Sequence, residues 1–290
     1  MPGIAINKTT VPFARRRYLL CLFLFLGLCA SANALEKTHY SLAVVPQLPP
    51  LTTHKNWTPL VERLANETGL PIRLAVYKTV PAFEVDVLAG KPDFVFMNPY
   101  HQVMARKAQG YLPLVRSGTE SLYGIVVVAR DGPFKNLKDL DGKEIAFPAP
   151  NAYAASLYLR ARLSEQAGIK FRPNYLDTHS DVYRNVILGK AAAGGAVNTT
   201  FNRESAEIRA QLRILYQTPP AAPHPLSVHP RVPARVQQLM QAAILQLGAD
   251  PANQQLLQAV LLTKPVKADY QKDYQPLEKL GLEKYVVPSH

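Results

Sequence analysis

The sequence predicts an α/β protein built on mostly parallel sheets, and three observations carry that prediction. Short runs rich in β-branched and aromatic residues alternate with segments of helical periodicity. Gly, Pro and Asn fall between these runs, where they punctuate turns. No internal repeat, low-complexity tract or long linker breaks the alternation. Two domains within 290 residues must therefore be interleaved, with the chain crossing between them at extended segments.

The elements follow in order. Tyr40 to Val45 reads as a first strand, and Pro46 to Lys55 as a polar, Pro-rich loop. Trp57, Leu60, Val61 and Leu64 recur at the spacing of one helix face, which places Trp57 in the core, and Gly69 suits the stop. Ile72 to Tyr77 is a strand, Ala82 to Ala89 a short helix, and Asp93 to Met97 a buried strand. Asn98-Pro99 opens a helix through Lys107, with Pro99 suited to its first turn. Leu122 to Ala129 and Glu144 to Phe147 are strands. A helix over Ala152 to Gln166 follows, with Asn151 as its N-cap. Further strands are expected over Phe171 to Leu176, Ala193 to Val197 and Arg213 to Tyr216, with a helix over His179 to Leu188. From Val232 onward the pattern is mainly helical. The crossings between domains are expected near Leu122–Gly124 and Pro220–Pro225.

The N-terminus predicts export. Lys8, Arg15, Arg16 and Arg17 precede an apolar run over 18–30, and Ala32 and Ala34 form an A-x-A site. The apolar run is shorter than the ~20 residues of a membrane span. Cleavage after Ala34 would release Leu35 to His290 into the periplasm. Cys21 and Cys29 both lie in this leader, so the mature chain has no disulfide, thiolate metal site or Cys nucleophile. A bulky Leu28 precedes Cys29, which argues against a lipoprotein. Without the four leader cations the net charge falls from +12 to +8. That balance favours anionic ligands. The basic residues are dispersed rather than clustered, which argues against nucleic acid.

Enzymatic signatures are missing. There is no GxGxxG, Walker loop, GxSxG or HExxH. His179, Ser180 and Asp181 are consecutive, so their side chains diverge and read as a helix start rather than a triad. His224 and His229 flank a Pro-rich loop without metal-ligand spacing. No catalytic residue, metal or cofactor is expected.

The order of motifs resembles the phosphate/phosphite/phosphonate-type periplasmic substrate-binding proteins of ABC transporters. The resemblance runs through Asn56-Trp57-Thr58-Pro59-Leu60 and Gly90 to Pro99. It continues through Tyr123 to Val127, Asn136 to Lys143, Phe147 to Ser156 and Thr178 to Asp181, and ends at Thr218 to Pro225. It implies two α/β lobes, with 35–122 and 223–290 in lobe I and 123–222 in lobe II, after a signal peptide over 1–34. It also implies a small anionic ligand held between the lobes. In the family the loop equivalent to 148–155 carries a run of Ser and Thr at a helix N-terminus, where free N–H groups attract oxyanions. Here Asn151, Ala152, Tyr153, Ala154 and Ala155 occupy it, and Ala193 to Ala196 fill a region that carries an acid in the family.

Ligands of open α/β sheets bind beyond the carboxyl ends of strands. Asn98, Tyr100, Tyr123, Asn151, Tyr153 and His179 are the resulting ligand-binding candidates. Each has an alternative. Asn98 either donates to the ligand or caps its helix. Tyr100 and Tyr153 line the cleft or pack. Tyr123 faces the cleft or packs the hinge, and His179 either matches the family's ligand position or only begins a helix. Gln47 and Thr52 to His54 lie on a first loop that contributes to the pocket in the family. The implied role is that of a monomeric receptor delivering a small phosphonate- or phosphate-like oxyanion to an ABC permease. The alternative is a free-standing sensor that presents the ligand to a two-component histidine kinase.

Overall fold

The computed structural model describes residues 1–3 and 38–289; the leader and its cleavage site lie outside the described residues. The chain alternates strands and helices over two sheets. The first sheet has the order β11-β4-β10-β3-β1-β2. Its strands are β1 (Tyr40–Val44), β2 (Ile72–Val76), β3 (Phe94–Phe96), β4 (Leu112–Ser117), β10 (Pro225–Val228) and β11 (Pro265–Lys267). The second sheet has the order β7-β6-β8-β5-β9. It is built from β5 (Gly124–Ala129), β6 (Glu144–Phe147), β7 (Arg172–Tyr175), β8 (Ala193–Val197) and β9 (Leu212–Gln217).

Each sheet has a parallel half, β1 with β2 and β3 and β6 with β7 and β8, as the α/β alternation predicts. The remaining pairs are antiparallel: β10 with β3 and β4, β11 with β4, and β5 with β8 and β9. The antiparallel strands are the ones that carry the chain between sheets or return it at the C-terminus.

Helices flank both sheets. Helix α1 (Pro50–Thr68) begins inside the stretch expected to be loop. Pro50 stands at its first position, where a missing N–H costs nothing and φ is already helical. Its buried face is Thr53, Trp57, Leu60, Val61 and Leu64, and the Trp57 ring meets Phe96 at 4.8 Å between centroids. Helices α2 (Val80–Leu88) and α3 (Pro99–Gln109) complete the first part of this layer, and α8 (Ala234–Ala249) and α9 (Gln254–Ala259) join it later in the chain. On the second sheet lie α4 (Tyr158–Glu165), α5 (His179–Ile187), α6 (Asn198–Phe201) and α7 (Ala206–Ala210).

Asn98 caps α3 as expected, but Asn151 caps nothing. The helix after β6 starts instead with a turn of π-helix, Tyr153–Leu157, which runs on into α4. That turn is seated directly on the sheet. A Cβ on Gly124 would overlap the Ala154 carbonyl, and a Cβ on Gly195 would overlap the Ala155 carbonyl and the Phe147 ring. Only glycine permits this approach of backbone to backbone.

The chain crosses between sheets twice, from β4 to β5 and from β9 to β10, close to the two expected places. The crossings pair with each other. The Leu122 N–H donates to the Ala221 carbonyl (3.0 Å), and the Ala221 N–H donates to the Leu122 carbonyl (2.8 Å). Beyond β11 the C-terminal stretch is not regular helix but a series of short π and 3-10 turns from Tyr270 to Tyr285. Arg160 holds it by donating to the Tyr285 and Pro150 carbonyls (2.6 and 2.9 Å). Among the described residues, no helix is long and apolar enough to cross a membrane.

Candidate functional site

The ends of β1, β3, β6 and β8 and both crossings converge on one small cavity of about 30 Å³. Val45 to Gln47 follow β1, Asn98 follows β3, and Pro148 and Ala152 to Ala155 follow β6. Val197 ends β8, His179 begins α5, and Leu122 and His224 come from the two crossings. A second, larger cavity of about 190 Å³ shares Val45, Gln47 and His179 with the first. It runs outward between α1 and α9 on one side and α5 and α6 on the other, past Trp57, Ser180, Thr200, Arg203 and Glu204.

The inner cavity offers few polar groups. The N–H groups of Tyr153, Ala154 and Ala155 stand in the first helical turn, where no intrahelical partner exists. His179 is 4% exposed, and its Nδ1 has no hydrogen-bond partner. Burial pushes the His179 imidazole down to about 4. His224 is pushed down to about 3, by burial first and then by nearby His101 and His179; its ring stacks on Phe96 at 5.5 Å. Both rings are therefore neutral near pH 7. No Asp, Glu, Lys or Arg lines the inner cavity among the described residues.

Asn98 and Asn151 are occupied with one another. The Asn98 side-chain oxygen accepts from the N–H groups of Tyr100 (3.0 Å) and His101 (2.8 Å), and its amide donates to the Asn151 carbonyl (3.1 Å). The Asn151 amide donates to Glu84 Oε2 (3.0 Å) and the Val287 carbonyl (2.8 Å), and its oxygen accepts from the Val287 N–H (3.0 Å). Glu84 also pairs with His101 (Oε1 to Nε2, 2.6 Å) and accepts from the Ser289 hydroxyl. Burial raises the Glu84 carboxyl, but His101, Ser289 and Asn151 outweigh it and hold the group below its ordinary value. This cluster, buried at Glu84, Asn98, His101 and Asn151 and reaching the surface at Val287, joins the β6 loop to α2, α3 and the C-terminal segment. Asn151 is thus placed to tie the two sheets together rather than to face the cavity, a role its sequence position did not signal.

The tyrosines also separate. Tyr100 does not line either cavity; it stacks on Tyr153 (6.4 Å, 12°), which stacks on Tyr158 (5.8 Å, 3°). The three rings sit in an apolar cluster with Leu122, Tyr274, Leu277 and Leu282. Burial raises the Tyr153 phenol well above its usual range. Tyr153 borders the inner cavity, yet its ring serves this stack. Tyr123 packs against the core cluster of Ile125, Val127 and Tyr183, and its N–H donates to the Asn198 side-chain oxygen (3.1 Å). Of the six residues singled out in the sequence, Asn98, Tyr153 and His179 border the inner cavity, and Tyr100, Tyr123 and Asn151 do not.

The sequence reading passed over His224, Arg203 and Glu204. His224 lies in the Pro-rich crossing, which must face a cleft that the crossing spans. Arg203 and Glu204 lie beyond the short helix α6 that follows β8, so they are not strand-end residues and the rule that selected the β3 and β6 loops did not reach them.

Two sheets, each with its own helices, two paired crossings and a cavity at the strand ends define a two-lobed α/β binding protein. The family model described as "ABC transporter, phosphonate, periplasmic substrate-binding protein" matches residues 42–274. The chain belongs to that family, whose members are solute-binding proteins of ABC transporters and not enzymes. Among solved structures it is similar to PhnD1 from Prochlorococcus marinus in complex with methylphosphonate. That likeness has 14% identity and a TM-score of 0.77, and covers 86% of this chain and 98% of the other. It is similar to a binding protein component of an ABC phosphonate transporter from Pseudomonas aeruginosa, at 12% identity and a TM-score of 0.74, covering 83% and 84%. A Xanthomonas citri protein bound to ATP matches at 17% identity and a TM-score of 0.66, covering 86% and 98%. At these identities the structures show the shared fold. No curated protein matches the sequence.

Proposed function

We propose that the chain captures a small oxyanion of the phosphonate or phosphate type at the inner cavity and delivers it to the permease of an ABC transporter. The observation that carries this reading is one convergence. Residues 153–155, in the first turn after β6, and His179, whose buried Nδ1 has no hydrogen-bond partner, line the same space. Helix N-terminal N–H groups favour oxyanions, and a neutral imidazole supplies one N–H donor or gains charge when an anion arrives. Asn98 supports the site by fixing the Asn151 carbonyl at its edge. The cavity of about 30 Å³ is lined from both sheets and both crossings. Entry therefore requires the lobes to part, by hinge motion at the paired crossings.

On this reading the lobes comprise 35–122 with 223–290, and 123–222. The leader is cleaved after Ala34 and the protein acts as a periplasmic monomer. Isothermal calorimetry on protein purified from the periplasm tests the reading. Heat of binding is expected with methylphosphonate or phosphate, and a His179→Ala variant is expected to bind at least fivefold more weakly. Absence of heat with phosphonates, phosphite and phosphate refutes it.

A further inference from the structure

The outer cavity is larger than the anion site needs and is divided by chemistry. Val44, Trp57, Phe96, Val260 and Leu261 give it an apolar lining. On the same side, beside Val44 and Trp57, stand the carboxamides of Gln47 and Asn56, which make no side-chain hydrogen bond among the described residues. Two charged residues border it, and both are engaged. Arg203 donates to the Gln258 and Ala259 carbonyls at the end of α9, where a cation complements the helix dipole. Glu204 accepts from the Ser180 hydroxyl at 2.6 Å. The two charges are adjacent in the chain and opposite in sign, so a charged group entering the cavity meets no net countercharge. It would also lose hydration. A neutral hydrogen-bonding group meets two free carboxamides and pays a far smaller desolvation cost.

We propose that the ligand is an organophosphonate or phosphate ester whose substituent occupies this outer cavity and ends in a neutral hydrogen-bonding group, a hydroxyl or amide, rather than an ammonium or carboxylate. The inference rests on the anion reading above and deepens it. The aliphatic stem of the ligand lies along Trp57 and Val260, and its end group bonds Asn56. Gln47 borders both cavities, so it stands where head and substituent join. At about 190 Å³ the outer cavity is several times the inner one and leaves room for a substituent beyond the head group.

Calorimetry with four probes on the periplasmically purified protein tests it: methylphosphonate, 3-hydroxypropylphosphonate, 3-aminopropylphosphonate and 2-carboxyethylphosphonate. The hydroxypropyl compound is expected to bind about tenfold tighter than methylphosphonate, the gain of one or two hydrogen bonds plus a buried stem. The two charged compounds are expected to bind no tighter than methylphosphonate. In Asn56→Ala the hydroxypropyl advantage falls to threefold or less. Asn56→Asp, which places a carboxylate on the same half-exposed position, shifts the preference to the aminopropyl compound. If the aminopropyl or carboxyethyl compound binds tightest to the unaltered protein, or all four bind equally, the inference is overturned while the anion reading stands. If none of the four binds while phosphate or phosphite does, the inference is overturned and the anion reading stands; if phosphate and phosphite also give no heat, the anion reading fails and takes this inference with it.

Discussion

Acidification should destabilise the closed protein well before its carboxylates titrate. His179 and His224 are held neutral at the inner cavity, with pKa values pushed from 6.5 down to about 4 and about 3, in both cases chiefly by burial. Once the lobes part or the chain unfolds, both rings are wetted and take up protons near pH 6.5. The sign follows from linkage: stability falls with falling pH wherever the unfolded or open form binds more protons. The loss begins near pH 6.5 and continues until the folded rings protonate near pH 4. Each histidine costs about 1.4 kcal/mol per pH unit in that window, so at pH 5 the pair costs about 4 kcal/mol. Glu84 does not offset this. Its lowered pKa keeps its contribution present above 4.5 and loses it only as pH falls through the lower folded value. For a chain of this size about 4 kcal/mol corresponds to a drop in Tm of about 8–16 °C. The assay is thermal unfolding by circular dichroism at pH 7.5 and 5.0, on the unaltered protein and on His179→Asn, His224→Asn and the double variant. Each single substitution is expected to remove about half of the pH-dependent drop and the double variant nearly all of it. The remaining histidines are common to all four proteins and cancel in the comparison. An equal drop in all four would refute the assignment of the pH dependence to these two rings.

Two other substitutions test how the site is built. Asn151→Ala removes one of the bonds to the buried Glu84 carboxylate, which keeps His101 and Ser289, and frees the exposed Val287 backbone; the lost bond to a buried carboxylate costs about 1–3 kcal/mol. Chemical denaturation should therefore show a loss of about 1–3 kcal/mol, and small-angle scattering a larger radius as the lobes part; unchanged stability would mean that the cluster does not join them. Gly195→Ala drives a methyl into the Ala155 carbonyl and the Phe147 ring, an overpacking worth about 1–3 kcal/mol that should also weaken anion binding by displacing the turn that donates to it.

Much of the fold was legible because its signals are local. The apolar face of α1, the Asn98 cap and the β-branched β5 are each written within a dozen residues, and each forms where expected. What escaped was set by distant partners. β4 and β10 are not among the expected strands; each carries a proline, Pro113 and Pro225, and they pair in the interior of the first sheet because their neighbours satisfy the groups that remain. The start of α1 was misplaced because Pro50 was taken as loop punctuation rather than as a first helical residue. The site was legible at the level of strand ends but not of side-chain direction. Asn151 follows β6 as a ligand group would, but its partners Glu84 and Val287 lie 67 and 136 residues away. Nothing in the local pattern announces them. Tyr100 likewise follows β3, and only the packing of Tyr153 and Tyr158 shows that its ring is committed to a stack.

The absence of hydroxyls from the loop after β6 follows from the same geometry. Ala154 and Ala155 direct their carbonyls onto Gly124 and Gly195, so the π-turn lies closer to the sheet than any strand with side chains at those positions would allow. Ala152, Ala154 and Ala155 keep side chains out of a cavity that is already small. The polar side chains nearby, Asn98 and Asn151, are committed to holding the loop against the other lobe. On the proposed reading, the donors left to the ligand are then backbone N–H groups fixed by packing, together with the imidazole of His179. Donors held this way lose little entropy on binding, unlike rotating hydroxyls. They also carry no charge that a substituent must match. Discrimination among anions therefore passes outward, from the head-group turn to the residues along which the remainder of the ligand lies.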